Sequence, residues 1–339
     1  MTQPTTVDAR ALSQDMARYR SSSRLRGGLE VLITAAPLAL CWGLACLALH
    51  YRFWWGLVLV VPAAGFLLRM FMIQHDCGHG AFLPSKHANN WLGRAIGVLT
   101  LTPYDYWRQS HAIHHATSGN LDRRILGGVD TLTVEEFQAL SPAGRFGYRL
   151  YRHPLVMFAL GPAFVFVIQH RLPFGLMRGG WRPWLSTMLT NLGILVATLG
   201  VIWFIGLPTF LMVNLPIVLI SAAIGVWLFY VQHQFEDTFW ARNGEWDVRD
   251  AALNGSSHYD LPPVLRWLTA NIGLHHIHHL SSRIPYYRLG DVMRDHPQLA
   301  SVGRLTLMQS FRCVALTLWD EQTGRLVSFR QARALHAAG

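Results

Sequence analysis

"PLVMFALGPAFVFVIQ", residues 154–169, decides between two folds. If this run crosses a bilayer, the chain has five spans and its two ends lie on opposite sides. If it only dips in and returns, there are four spans and both ends share a face. The run is short of the ~20 apolar residues a spanning helix needs. Gly161-Pro162 also interrupts it, and proline removes a backbone donor from a helix interior.

The sequence on either side favours the dip. Residues 29–50, 53–74, 184–206 and 210–232 are apolar runs of spanning length. Pro37, Pro62 and Pro216 inside them predict kinks, which neighbouring helices make tolerable. Arg10, Arg18, Arg20, Arg24 and Arg26 precede the first run, which places the N-terminus on the cytoplasmic side. Two spans then bring the chain back to the cytoplasm at "HDCGHG" (75–80). A full crossing at 154–169 would put Arg171, Arg178 and Arg182 outside, with the basic stretch 242–304 after them. A re-entrant or interfacial segment keeps every arginine-rich stretch inside, and such a segment is allowed where it packs on protein.

Composition agrees. The chain has 339 residues, 51% hydrophobic and only 14% charged, against a usual charged quarter, and its mean hydropathy is +0.23. The formal charge of +10 is carried almost wholly by arginine. That balance suits nucleic acid or an anionic membrane face. The arginines follow the topology, so no nucleic-acid partner is expected. The four cysteines show no disulfide spacing, and residues 1–28 contain no apolar secretory core. Cys77, between two histidines, reads as a small buried residue rather than a soft ligand. Residues 75–152 read as a cytoplasmic loop with helical pieces. In it "LTVEEF" sets Thr133 three residues before Glu136, either a capping box or plain surface polarity.

The cytoplasmic stretches carry three histidine clusters. "HDCGH" holds His75 and His79; "HAIHH" holds His111, His114 and His115; "HHIHH" holds His275, His278 and His279, with His276 in addition. Positions three and four apart share a helix face, so His75 converges with His79, and His111 with His114 and His115. Adjacent residues point ~100° apart, so His114 and His115 cannot easily serve one ion. Two ions bridged by neighbouring histidines follow. Imidazole suits zinc, copper, iron and nickel alike, but eight ligands are too many for one structural zinc. No HExxH and no Glu-x-x-His pattern is present. Asp76 is placed either to orient a ligand ring or to pair with an arginine.

With these boxes, H-x-x-x-H, H-x-x-H-H and H-x-x-H-H, the sequence resembles the membrane di-iron fatty acid desaturases. "HAIHHATSGNLDRR", "YRLYRHPLVMFALGP", "GVWLFYVQHQFEDTFW" and "NIGLHHIHHLSSRIP" are similar to the bacterial acyl-lipid (phospholipid) desaturases, including the delta-5 type. The resemblance runs over roughly residues 30–330. It implies an all-α integral membrane protein of the bacterial inner membrane, with four transmembrane helices and a cytoplasmic helical di-iron cap. The implied organisation is an N-terminal segment 1–28, a desaturase domain 29–330 and a tail 331–339.

It further implies two iron ions, with dioxygen as co-substrate, and the acyl chains of membrane lipids as substrate. His233 in "VQHQFED" matches a ninth ligand near the last span. Phe229, one turn earlier, stands where stearoyl-CoA enzymes have a water-binding asparagine, which puts that part of the geometry in doubt. His170 and His258 read as interfacial or surface residues. Tyr104, Tyr106 and Trp107 read as interface aromatics or as lining of an acyl tunnel. The absence of a His-Pro-Gly-Gly heme motif implies an external donor of the ferredoxin or flavodoxin type. Such a donor would dock on the arginines of the cytoplasmic face: Arg123, Arg124, Arg145, Arg149, Arg152, Arg266, Arg283 and Arg288. A hydroxylase or ketolase of the same superfamily is the alternative activity. A metal transporter is disfavoured, because Arg69 near one end of a span and the polar asparagines Asn191 and Asn214 are poor support for an ion path.

Overall fold

The computed structural model describes residues 9–124 and 126–337. Residues 1–8 of the N-terminal segment and 338–339 of the tail lie outside the described residues. Among the described residues, four helices are long and apolar enough to cross a membrane: α1 (Arg24–His50), α2 (Trp54–Gly78), and further along the chain Trp181–Ile205 and Leu207–His233. They match the four apolar runs, each helix reaching a few residues beyond its run. Between α2 and the second pair come α3 (Lys86–Leu99) and α4 (Tyr104–Thr117). The second pair is therefore α5 (Trp181–Ile205) and α6 (Leu207–His233).

The helix ends follow local chemistry. Ser23 caps α1 by accepting from Arg26 N, and Ser85 caps α3 through Ala88 N, as N-cap serines do. A single residue, Gly206, joins α5 to α6 at φ +77°, a conformation that glycine adopts without a steric cost. Pro37 and Pro216 sit inside continuous helices. Pro62 lies where the opening 3-10 turns of α2, Trp54–Leu59, give way to α-helix. α2 packs against both α1 and α6 and is the best buried of the four. α5 presents Leu192, Val196, Trp203 and Phe204 outward, the all-round apolar surface of a helix bathed in lipid.

Residues 156–171 form short helical pieces: a single π-turn at Val156–Leu160, an α-helix at Gly161–Val167, and a 3-10 turn at Gln169–Arg171. Their axis is bent 59° from the preceding helix Pro142–Tyr151. Leu155, Leu160, Phe164 and Ile168 face outward, while Met157 and Pro162 are buried. Phe158 packs on Trp227 and Tyr230 of α6, with ring centroids 5.0 and 5.1 Å away. The segment ends beside the middle of α5. Arg171 donates to Asn191 Oδ1 (2.8 Å) and to the Leu101 carbonyl, and Asn191 donates back to the Arg171 carbonyl.

The rest of the chain forms a largely helical cap over one end of the bundle. It includes α7 (His275–Leu280) and α8 (Tyr286–Asp295). The cap also holds two small sheets that the sequence pattern did not suggest. Leu132–Thr133 runs parallel to Leu318–Asp320, which pairs antiparallel with Arg325–Val327; His258–Asp260 runs parallel to Arg304–Thr306. Strands of two or three residues are too short to show an alternating pattern. The capping box at Thr133 is real: Glu136 N donates to Thr133 Oγ1 (3.1 Å), and Thr133 N donates to Glu136 Oε2 (2.8 Å).

Candidate metal centre

Four elements bring nine histidines to one place. His75 lies in the last turn of α2 and His79 just beyond it, one helical turn apart, with ring centroids at 4.7 Å. α4 supplies His111, His114 and His115, and α6 ends on His233. α7 supplies His275, His278 and His279. The approach to α7 is tightly built. Ala270 and Asn271 take positive φ, and a Cβ on Gly273 would meet the Tyr259 carbonyl oxygen at 2.4 Å. Only glycine lets these two backbones lie so close.

The nine rings divide into two groups. His75, His79, His111, His115 and His278 form one; His114, His233, His275 and His279 form the other. Within each group the candidate ligand atoms all lie within 4.8 Å of one another. The neighbours His114 and His115 fall on different sides, as do His278 and His279. Nε2 atoms meet at 3.1 Å between His79 and His111, 3.1 Å between His111 and His115, and 3.2 Å between His115 and His278. In the second group His233 Nε2 lies 3.1 Å from His114 Nε2 and 3.0 Å from His275 Nε2.

Hydrogen bonding cannot account for this arrangement. Each Nε2 carries either one proton or one lone pair, so the four-membered chain His79–His111–His115–His278 leaves at least one contact unpaired. Lone pairs converging on a cation fit it. Nitrogens ~2.0–2.1 Å from an ion and at right angles to each other stand about 3 Å apart. His279 Nε2, buried without a hydrogen-bond partner, fits the same account. The donor set suits a pair of transition-metal ions, and among the described residues no carboxylate joins either group.

Electrostatics keep these rings neutral, the form a ligand must have. Burial holds His111, His114, His115, His275, His278 and His279 well below the ordinary histidine value, and neighbouring imidazoles push them further down. Trp107 stacks on His111 at 4.6 Å and fixes its plane. His233 Nδ1 lies 3.1 Å from the Gly255 carbonyl oxygen. Asp76 pairs with no arginine: its Oδ1 lies 3.2 Å from His75 Nδ1. The ring it reaches is its sequence neighbour's, not that of His79.

A largely apolar cavity of about 490 Å³ opens onto the imidazoles of His75, His111 and His275. Leu67, Leu68, Phe71 and Met72 of α2 wall it on one side, and Val218 to Phe229 of α6 on the other. Residues between Val156 and His170 complete its wall. Tyr106 and Trp107 line it; Tyr104 does not, and instead donates from its hydroxyl to the Cys77 carbonyl. Phe229 faces the cavity with its ring 5.0 Å from His114 and 5.1 Å from His233. A smaller cavity of mixed polarity, about 230 Å³, reaches His114 and His233 past Arg123 and Trp240.

The family profile for fatty acid desaturases matches residues 52–310, a stretch that contains all nine histidines. A fatty acid desaturase of Bacillus subtilis is 44% identical over 319 residues, covering 94% of this chain and 90% of that protein. The chain belongs to the fatty acid desaturase family. A Synechocystis sn-1 acyl-lipid omega-3 desaturase (ferredoxin) is 31% identical over 228 residues, 65% of this chain and 61% of that protein. An endoplasmic-reticulum omega-3 fatty acid desaturase of Vigna radiata is 28% identical over 270 residues, 73% of this chain and 66% of its own.

Two other histidines of this desaturase correct the sequence reading. His170 and His258 are buried rather than on the surface. His170 lines the apolar cavity, and His258 Nδ1 lies 2.8 Å from the Ala300 carbonyl oxygen. His276 stands outside both groups, yet it is fully buried with Nε2 3.2 Å from the Leu299 carbonyl oxygen. The arginine face is also smaller than it reads. Arg152 is buried, donating to the Tyr230 hydroxyl, Gln234 Oε1 and the Leu316 carbonyl. Arg124 is held by Glu136 and by the Leu121 and Thr131 carbonyls.

Proposed function

We propose that the protein is an O2-dependent desaturase that introduces a cis double bond into a saturated acyl chain esterified in membrane phospholipid. One observation carries the reading: an apolar cavity between α2 and α6 ends on the imidazoles of His75, His111 and His275. Desaturase chemistry needs an unreactive methylene held dry against a metal centre, and this cavity offers such a place.

His75, His79, His111, His115 and His278 would hold one iron, and His114, His233, His275 and His279 the other. Bound iron supplies the activation of dioxygen that lets hydrogen leave an unactivated methylene. The chain's own residues do the rest. Leu68, Phe71, Met72 and Val218 hold the acyl chain and exclude water. Trp107 and Asp76 fix two of the rings. Phe229 covers the four-histidine group from the cavity side. Two hydrogens leave the substrate, and with two electrons and two protons from outside they reduce dioxygen to water. A ferredoxin or flavodoxin is the donor we infer, since two cyanobacterial relatives carry ferredoxin in their names.

Residues 29–330 form the desaturase domain in this reading, in the bacterial inner membrane with the cap in the cytoplasm. The arginine distribution supports that orientation. Cysteine labelling at residues 172–182 of intact cells tests its weak point, and external labelling there would show that 154–169 spans the membrane after all. The activity is tested by expression in a host without desaturases and mass spectrometry of its lipids. Loss of two hydrogens with a located double bond is expected. Gain of an oxygen atom would make the protein a hydroxylase or ketolase instead.

A further inference from the structure

Asp76 lies inside the first histidine box and bonds both to that box and to the helix that follows the third. Its side chain is buried. One oxygen faces His75 Nδ1 at 3.2 Å. The other accepts from the backbone N of Tyr286 at 2.6 Å. Tyr286 opens α8, the helix that follows His275–Leu280. The same tyrosine donates from its hydroxyl to Glu30 Oε2 at 3.0 Å, and Glu30 is held by Arg69 (2.5 Å) and Arg26 (2.8 Å). A chain of bonds therefore runs from α1 through Glu30, Tyr286 and Asp76 to His75.

The two imidazole groups differ in how their rings are backed. In the five-membered group His75 Nδ1 meets a carboxyl oxygen; in the four-membered group His233 Nδ1 meets the Gly255 carbonyl oxygen. A carboxyl group accepting from the far nitrogen fixes the tautomer, turns the near nitrogen's lone pair inward and raises ring basicity more than a carbonyl does. We propose that Asp76 is a positioning residue for one metal position alone, holding the His75 ring for the ion of the five-histidine group and locking that group to α8. This inference rests on the two-ion reading given above.

The geometry makes asparagine a sharp probe. With His75 ligating through Nε2, its Nδ1 carries the proton, and Asp76 satisfies two donors, His75 Nδ1–H and Tyr286 N–H, with two oxygens. Asparagine has one oxygen and an NH2 that cannot accept. If that oxygen stays on Tyr286 N, the NH2 faces His75 Nδ1 and drives the ring's proton to Nε2, where it blocks ligation. If the oxygen turns to His75, a buried backbone N–H loses its acceptor. Replacement of Tyr286 by phenylalanine separates the two ends of the chain: it removes the bond to Glu30 and keeps the backbone N–H on Asp76.

The experiment loads full-length wild type, Asp76→Asn, Asp76→Ala and Tyr286→Phe with 57Fe in cells. Iron release to a chelator from the purified detergent-solubilised proteins is then followed by Mössbauer spectroscopy. Wild type is expected to hold two irons. In both Asp76 variants one iron should be held roughly 10–100-fold more weakly, its spectral component lost first, while the other component keeps its wild-type parameters and release rate. Tyr286→Phe should lose thermal stability and keep both iron components. Equal weakening of both irons, or none, in the two Asp76 variants would overturn the proposal while leaving the two-ion reading intact. Wild type with fewer than two irons would overturn the two-ion reading itself, and this proposal with it.

Discussion

His114 and His115 are consecutive in the chain and stand in different imidazole groups, their ring planes 80° apart and their centroids 5.7 Å apart. A helix turns ~100° per residue, so one turn of α4 serves two sites. Alanine at either position should abolish desaturation and leave membrane insertion intact. Iron content should separate them. His114→Ala leaves three imidazoles in its group, and iron should fall toward one per chain. His115→Ala leaves four, and most of the second iron should stay. Metal analysis of both variants beside wild type checks this; equal iron loss would contradict the grouping.

Helix periodicity made that division legible in advance, because the H-x-x-H-H spacing constrains ring directions within one element. The four spans were legible for a similar reason: apolar runs of the needed length announce themselves. Contacts between distant elements left no such mark. Nothing near His276 in the sequence tells that it is buried against Leu299, and on spacing alone it reads as a spare residue facing away. His276→Ala should therefore cost stability, roughly 1–3 kcal/mol for the carbonyl left without its partner, while iron content stays at the wild-type level. Thermal unfolding and metal analysis on one preparation test both halves. The Tyr286–Asp76 bond spans 210 positions, and the apolar cavity is assembled from six separate stretches of chain, within 67–75, 100–111, 126–130, 151–170, 218–232 and 272–275. Neither has a local signature.

The cavity predicts a selective defect. Gly225 lines it from α6, and a Cβ there would touch only Leu68, at 3.6 Å. Gly225→Leu should fold, since the added carbons enter open space. It should hinder seating of the acyl chain. Desaturation is expected to fall roughly a hundredfold, the scale set by misplacing a substrate, with iron content unchanged. A variant that keeps wild-type lipid profiles would remove this cavity from the reaction.

The buried histidines also set a pH dependence. Their folded values lie well below the ordinary histidine value of about 6.5, so the native state stays neutral where the unfolded chain takes up protons. Stability should be fully present above about pH 6.5 and be lost progressively as pH falls below it. Each such histidine contributes at most about 1.4 kcal/mol per pH unit in that window, and six acting together make the fall steep. Unfolding of the iron-free protein in detergent between pH 8 and pH 5 measures it. Bound iron should shift the fall to lower pH, since ligand binding favours the native state. A flat profile would mean that the rings are already protonated or solvated.

The remaining prediction concerns the electron donor. Of the arginines that suggested an acidic partner, Arg124 and Arg152 are committed to internal bonds, and charge reversal at either would damage the fold before it tested docking. Arg123 is different. It is exposed and lines the smaller cavity that reaches His114 and His233, so a donor bound there would stand near the four-histidine group. Complementary charge steers such encounters and is screened by salt. With limiting ferredoxin, activity should fall steeply between low and physiological salt, and excess ferredoxin should restore it. Arg123→Glu should raise the ferredoxin concentration needed for half-maximal rate without changing iron content or the maximal rate. Anionic lipid headgroups make the competing claim on the same charge, and they give a different pattern. A flat salt response, with Arg123→Glu losing affinity for anionic vesicles, would assign this arginine to the membrane and move the docking face to the exposed Arg266 and Arg283.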